Sequence, residues 1–201
     1  MSAKRSFALV AAGTALLSLP VLAQEGGPEN RSEASVQFFG TFVKSTVDNG
    51  VGQSASDSGG VLASYRYFFT SHQGVEVNYG YSRSTQSYDF GGGPVGPSTN
   101  QHEVTAAYVY RFPLRRFTPF VEAGVGGVVF DPRNFVGAST QARAAFVYGG
   151  GADLNVTRHV FVRAEYRGLV YNSPTFDATP NLGVDRVTHQ AEPSIGFGYR
   201  F

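Results

Sequence analysis

The sequence predicts an all-β chain: an eight-stranded antiparallel up-and-down transmembrane β-barrel behind a cleavable signal peptide. Three observations lead there. Apolar and polar residues alternate with a period of two along most of the chain. The connections between these runs alternate between short and long. The chain ends in mid-alternation on Phe201, where a terminus in water would ordinarily fray.

Residues 1–23 read as a secretory signal. Lys4 and Arg5 form its positive start, Phe7 to Leu19 its apolar stretch, and Val21-Leu22-Ala23 its small-residue cleavage site. The apolar stretch is too short to span a bilayer as a helix. Cleavage is expected to leave Gln24 first. Losing Lys4 and Arg5 takes the formal net charge from +1 to −1. That balance offers no footprint for nucleic acid. The chain has no cysteine, so neither a disulfide nor a lipid-bearing cysteine is available. No later segment is continuously apolar over the ~18 residues that mark a transmembrane helix. Residues 24–32 form a polar lead-in, residues 33–201 form the barrel domain, and no second domain is expected after it.

The alternating runs fall near 33–45, 60–70, 73–84, 101–112, 118–130, 141–154, 159–171 and 188–201. Each is long enough to cross a bilayer at a tilt, which takes roughly 9–11 residues. Three connections are tight: Thr70-Ser71-His72, Pro113 to Phe117, and Asn155 to Arg158. Four are long and rich in Gly, Pro, Asn, Asp and Ser: 46–59, 85–100, 131–140 and 172–187. Short periplasmic turns with longer outer loops characterise outer-membrane barrels. An even strand count also leaves both termini on one side.

Each run has two chemical faces. The second sets Val61, Ala63, Tyr65, Tyr67 and Phe69 against Leu62, Ser64, Arg66 and Phe68. The third sets Val75, Val77, Tyr79 and Tyr81 against Glu76, Asn78, Gly80 and Ser82. The fourth, seventh and eighth repeat the pattern, with Tyr108, Tyr110, Phe112, Tyr199 and Phe201 on their apolar faces. In a membrane barrel the apolar face looks outward, because a charge there costs ~2–4 kcal/mol at the bilayer midplane. The aromatics gather at the two ends. Tyr65, Tyr67, Phe69, Tyr108, Tyr110 and Phe112 lie toward the short turns, and Tyr79 and Tyr81 toward a long loop. These are two interfacial girdles, each phenol keeping its hydroxyl wet and its ring in lipid.

The inward face carries Arg66, Arg111, Arg143, Arg163, Arg167 and Arg200 with Glu76, Glu103, Glu122, Asp153 and Glu165. Glu192 shares the inward parity, but Pro193 predicts a bulge that leaves its side open. Eight strands enclose a space just wide enough for side chains to fill. Balanced charge in it predicts an ion-pair network, where a conduit would carry one dominant sign. Three pairs are expected across the tight turns: Arg66 with Glu76, Arg111 with Glu122, and Asp153 with Arg163. Inward glycines such as Gly124, Gly126, Gly149, Gly151, Gly196 and Gly198 make room for the arginines and let the strands coil.

The ending Ser194-Ile195-Gly196-Phe197-Gly198-Tyr199-Arg200-Phe201 resembles the C-terminal assembly signal of bacterial outer-membrane barrels, with Ser194, Gly196, Tyr199 and Phe201 in the matching slots. With the signal peptide and the loop rhythm, the whole chain after the signal is similar to the small outer-membrane barrel family that includes the transmembrane domain of OmpA, OmpX and the opacity proteins. The resemblance implies folding by the barrel assembly machinery, with Tyr199 and Phe201 as recognition residues, and periplasmic termini. The peptidoglycan-binding domain of full-length OmpA has no counterpart in this sequence.

The function expected is non-enzymatic: membrane structure or surface interaction through the four long loops, with a narrow pore for small solutes as the alternative. Phe135, Phe176 and Leu182 are the apolar residues a loop contact would use. A lipid-acting enzyme needs a hydroxyl beside a histidine oriented by an acid. His72, His102, His159 and His189 are not expected to converge on one, and Thr188 beside His189 points to the opposite face. No cofactor is implied, and no ligand spacing suggests a metal. The partners expected are outer-membrane lipid and lipopolysaccharide, whose phosphates Lys44 and Arg83 either meet or avoid by snorkelling into water. A closed barrel has no free edge, so a monomer is expected.

Overall fold

The structure, a computed structural model, describes residues 31–43, 46–48, 51–55, 58–89, 94–95, 98–133, 140–172 and 187–201. The signal peptide and lead-in through Asn30, Lys44, and the loop residues Phe135, Phe176 and Leu182 lie outside the described residues.

Eight long strands form the wall: β1 (Ser32–Val43), β2 (Ser58–Phe68), β3 (Gln73–Asp89), β4 (Ser98–Arg111), β5 (Phe117–Arg133), β6 (Gln141–Asn155), β7 (Val160–Asn172) and β8 (Val187–Arg200). Each pairs antiparallel with its sequence neighbours. β8 then pairs with β1, from Glu33 opposite Arg200 to Phe39 opposite Ser194. Beyond that ladder Ser32 and Phe201 exchange both backbone bonds, at 3.1 and 2.9 Å. The eight-stranded wall is therefore a closed barrel, each of its strands paired on both sides.

The tight turns have a shared chemistry. In Thr70-Ser71-His72 and Thr157-Arg158-His159, the threonine Oγ1 accepts from the backbone N–H three residues on, at 2.9 Å in each case. This side-chain bond mimics a backbone turn and fixes a short reversal. The outer connections are more ordered than polar composition suggested. β3 runs on to Asp89 and β4 starts at Ser98. Thr46–Asp48 and Val51–Ala55 form a hairpin that pairs with the tip of β3, and Pro94–Val95 pairs with the same tip. Ser84-Thr85-Gln86-Ser87 are all polar, so no two-fold pattern in the sequence marks them as strand.

Outward positions are apolar and exposed: Val36 and Phe38 on β1, Val75, Val77, Tyr79 and Tyr81 on β3, Val104 and Tyr108 on β4, Ile195 and Phe197 on β8. Inward positions are buried and mostly polar: Glu33, Ser35 and Gln37 on β1, Glu76 and Asn78 on β3, Arg163, Glu165 and Arg167 on β7. That inversion suits hydrocarbon outside and a polar, protein-filled interior.

One expectation fails at β8. Pro193 makes no bulge: β8 keeps an unbroken register with β7 through Tyr166 opposite Pro193 and Arg167 opposite Glu192. On the β1 side the pairing lapses opposite Gly40 and Thr41 and resumes in the same register at Phe42 opposite Ala191. The missing proline donor is absorbed as a gap in one ladder. Parity is kept, and Glu192 points inward and is buried.

Candidate functional site: the charged lumen

The interior is built in layers along the barrel axis. Nearest the short turns lies a carboxylate hub. Glu33 accepts from Arg111 Nη1 at 2.8 Å, Arg200 Nε at 2.8 Å and Arg163 Nη2 at 3.1 Å. Arg163 also donates two bonds to Asp153, at 2.7 and 2.9 Å, from the opposite position on β6. This forked geometry is the strongest a guanidinium makes with a carboxylate. Phenyl rings are interleaved with the charges. The Arg111 guanidinium lies 3.6 Å above the Phe68 ring and that of Arg66 lies 3.9 Å above Phe120, close enough for cation–π attraction in a dry space.

The middle layer holds Arg66 and Arg167. Arg66 contacts Glu76, directly across the β2–β3 ladder, and donates to Glu122 at 3.3 Å. Arg167 reaches Glu103 at 2.8 Å, Glu192 at 3.4 Å and Glu122 at 3.7 Å. Glu165 accepts from Gln37 at 3.0 Å, and the hydroxyl of Ser194 donates to Gln37 at 2.9 Å. Arg66, Arg163 and Arg167 are only 0–1% exposed. An unpaired charge at that depth is strongly destabilising.

Toward the outer end the interior turns apolar on one side, while Thr41, Ser82, Thr99 and Gln101 keep the β1, β3 and β4 side buried and polar. Val128, Phe130, Ala145, Val147, Leu169 and Tyr171 cluster on the inward faces of β5, β6 and β7. A hydrogen-bonded chain ties this cap to the charges. Tyr171 donates to Gln190 at 2.6 Å, Gln190 donates to Glu192 at 2.7 Å, and Glu192 faces Arg167.

The residues expected inside are thus placed unevenly. Arg66, Glu76, Glu103, Glu122, Asp153, Arg163, Glu165 and Arg167 are buried, and Arg111 and Arg200 are half-buried near the short-turn mouth. Arg66–Glu76 and Asp153–Arg163 meet across their turns. Arg111 does not meet Glu122. Its neighbour across the ladder is Phe120, and it turns to Glu33 instead, leaving Glu122 to Arg66 and Arg167. Arg143 is half-buried near the outer end and donates to Gln141 at 3.1 Å. Glu33 and Gln37 were missed although the signal was present: Glu33, Ser35 and Gln37 alternate with Ala34, Val36 and Phe38 in the first run.

The glycines have a steric reason. A Cβ on Gly124 or Gly196 would come within 2.1 Å of a neighbouring carbonyl oxygen, that of Ala106 or of Val36. Only glycine lets the strands approach so closely. Of the terminal residues, Ser194 and Gly196 face the interior side, while Tyr199 and Phe201 are exposed outward. Rings at the short-turn end touch in series: Tyr65 to Phe201 and Tyr199 to Phe201 at 6.3 Å, Phe69 to Tyr108 at 6.3 Å, Tyr110 to Phe112 at 5.0 Å. Tyr67 is exposed at the same end. At the other end Tyr79 and Tyr81 bracket His102, and Tyr148 reaches His189 at 2.7 Å.

The carboxylates of Glu76, Glu122 and Glu165 lie within 4.8 Å of one another, a grouping no sequence spacing displayed. Arg66 contacts two of them and supplies a positive charge there itself. The histidines stay apart. His72 pairs with Ser71 Oγ at 2.8 Å and His159 with the Arg200 carbonyl at 3.0 Å; neither has a carboxylate partner among the described residues.

The sequence matches the profile of the outer membrane protein β-barrel domain over residues 9–201. The chain belongs to that family. A curated relative, the 25 kDa outer-membrane immunogenic protein of Brucella canis, is 25% identical over 129 residues, covering 64% of this chain and 57% of its own length. The matched stretch thus spans little more than half of that relative. Among solved structures, Neisserial surface protein A superposes with a TM-score of 0.63 at 14% identity, over 87% of this chain and 100% of its own. OprG of Pseudomonas aeruginosa gives 0.60 at 18%, over 87% and 98%. Ail, the attachment invasion locus protein of Yersinia pestis, solved with the heparin analogue sucrose octasulfate, gives 0.54 at 20%, over 87% and 100%. At these identities the likeness is one of fold. The family and the relatives place this outer-membrane β-barrel protein in the cell outer membrane, its apolar face in lipid.

Proposed function

We propose that the barrel is a sealed, non-enzymatic scaffold that presents its four long outer loops for surface interaction. One observation carries this reading: Arg163 and Arg167 span the interior to acids on other strands, reaching Glu33 on β1 and Glu103 on β4. A lumen crossed by buried ion pairs, with hydrocarbon filling its outer end on the β5–β7 side, supports a filled interior over a conduit. The charges are of both signs, where a selective conduit would be lined by one. The Brucella canis relative is described as immunogenic, which supports a face presented outside the cell. The termini lie in the periplasm, Tyr199 and Phe201 serve as the recognition residues for the assembly machinery, and the closed ladder favours a monomer. Arg83 is exposed on the outward face one step above Tyr81, at the level where lipopolysaccharide phosphates lie. Among the described residues no histidine joins both a hydroxyl and an acid, which supports the non-enzymatic reading.

Planar-bilayer recording tests the reading against a narrow pore. The sealed scaffold predicts no reproducible single-channel steps from purified protein. Steady steps whose size or ion preference changes in Arg167→Gln would establish the pore.

A further inference from the structure

The two ends of the barrel differ in charge. At the short-turn end, every described charged side chain outside the lumen is an arginine. Arg31 precedes β1, Arg115 and Arg116 form the β4–β5 turn, and Arg158 sits in the β6–β7 turn. Arg115, Arg116 and Arg158 are exposed, and none has an ion-pair or side-chain hydrogen-bond partner among the described residues. The described acids of that end, Glu33 and Asp153, are buried and held by Arg111, Arg163 and Arg200. In the sequence of the long connections (46–59, 85–100, 131–140 and 172–187) the balance is reversed: Asp48, Asp57, Asp89, Asp131, Asp177 and Asp185 stand against Arg133 and Arg186.

These arginines border grease. Exposed Phe112, Leu114 and Phe117 flank Arg115 and Arg116, and exposed Leu154, Val156 and Val160 flank Arg158. At roughly 3.3 Å per residue, the guanidiniums lie one or two residues beyond the last lipid-facing rings. That is the depth of headgroup phosphates. A guanidinium binds phosphate oxygens in a two-pronged geometry that an ammonium lacks. Turns this short offer too little area for a stable protein interface, which takes about 1,000 Å². They offer enough for single lipid headgroups.

We infer that the basic short-turn rim binds the phosphate headgroups of anionic phospholipids in the leaflet it faces. Arg115, Arg116 and Arg158 clamp the barrel at one depth. The inference rests on the periplasmic placement of the short turns, since that leaflet is the one made of phospholipid.

The full chain in mild detergent, mixed with phosphatidylglycerol, phosphatidylcholine or lipid A, gives the test by native mass spectrometry. Wild type is expected to retain phosphatidylglycerol over phosphatidylcholine. The Arg115→Gln/Arg116→Gln/Arg158→Gln variant is expected to lose that preference by roughly a hundredfold, at about fivefold for each of the three charges. Arg83→Gln, at the other end, should keep it. Equal retention by wild type and the triple variant overturns the inference, and so does a preference for lipid A that the triple variant abolishes. Heat-modifiable mobility shows whether the triple variant folds. Should it not fold, Arg158→Gln alone must still weaken phosphatidylglycerol retention, and added salt must weaken it in wild type. Orientation is read separately, by impermeant maleimide on Ser71→Cys in intact cells. Labelling from outside sinks the periplasmic placement without touching the lipid result.

Discussion

The two halves of the lumen solve one packing problem differently. The half nearer the short turns is filled by guanidiniums, carboxylates and phenyl rings: Glu33 with three arginines, Asp153 in a two-pronged bond, Arg111 and Arg66 over Phe68 and Phe120. The outer half on the β5–β7 side is filled by hydrocarbon, with Leu169, Val147, Val128 and Phe130 fully or almost fully buried. The charged half ties strands that are far apart in sequence and fixes their relative positions. The apolar side fills its part of the outer end without specifying partners. The difference teaches that a filled barrel need not be polar throughout. Charge is concentrated where it holds distant strands together.

Substitutions can break or sharpen that contrast. The largest loss is expected from Arg167→Met, which strands Glu103, Glu192 and part of Glu122. Removing one member of a buried charge set costs about 3–5 kcal/mol. Urea unfolding of the vesicle-embedded barrel should show it, and a loss below about 1 kcal/mol would mean the acids find other partners or water. Asp153→Leu with Arg163→Met should cost less together than the sum of the single changes, because the pair leaves as a unit. In the apolar half, Leu169→Ala is expected to cost about 2–3 kcal/mol as a cavity, with no dependence on salt. Salt sensitivity there would show that the cap is wet.

Gly196→Ala comes next. Its Cβ meets the Val36 carbonyl, and overpacking of this kind costs about 1–3 kcal/mol. The β1–β8 closure should loosen first, seen as earlier loss of heat-modifiable mobility; an unchanged midpoint would mean the strands spread freely. The smallest effect is expected from Asn78→Leu. Asn78 is fully buried, yet its side-chain amide has no partner among the described residues. Replacing it with a similar apolar shape should change stability by less than about 1 kcal/mol. A loss like that of Arg167→Met would reveal an essential hydrogen bond there.

Much of this was legible in the sequence. Period-two alternation located all eight strands and the inward or outward side of residues such as Val77, Tyr79, Arg66 and Glu76, because a strand has only two faces. Pairs across tight turns, Arg66–Glu76 and Asp153–Arg163, followed from counting back from the turn. Contacts across the barrel did not. Glu33 meets Arg111, Arg163 and Arg200 only after closure and shear bring β1, β4, β7 and β8 together, and no local spacing records that. The apolar cap was hidden because Val128, Val129 and Phe130 are apolar on both faces, which erases the alternation. The bulge assigned to Pro193 treated a missing donor as a break in register, when one gap in one ladder absorbed it.

A native chain without cysteine allows the most direct test of a sealed interior. Ser64→Cys and Thr105→Cys place single thiols at buried inward positions on β2 and β4. In the folded, membrane-embedded barrel, a small hydrophilic thiol reagent applied from both sides should leave both unmodified until the protein is denatured. Rapid labelling of either one in the folded state would show an open aqueous path through the lumen and contradict the account.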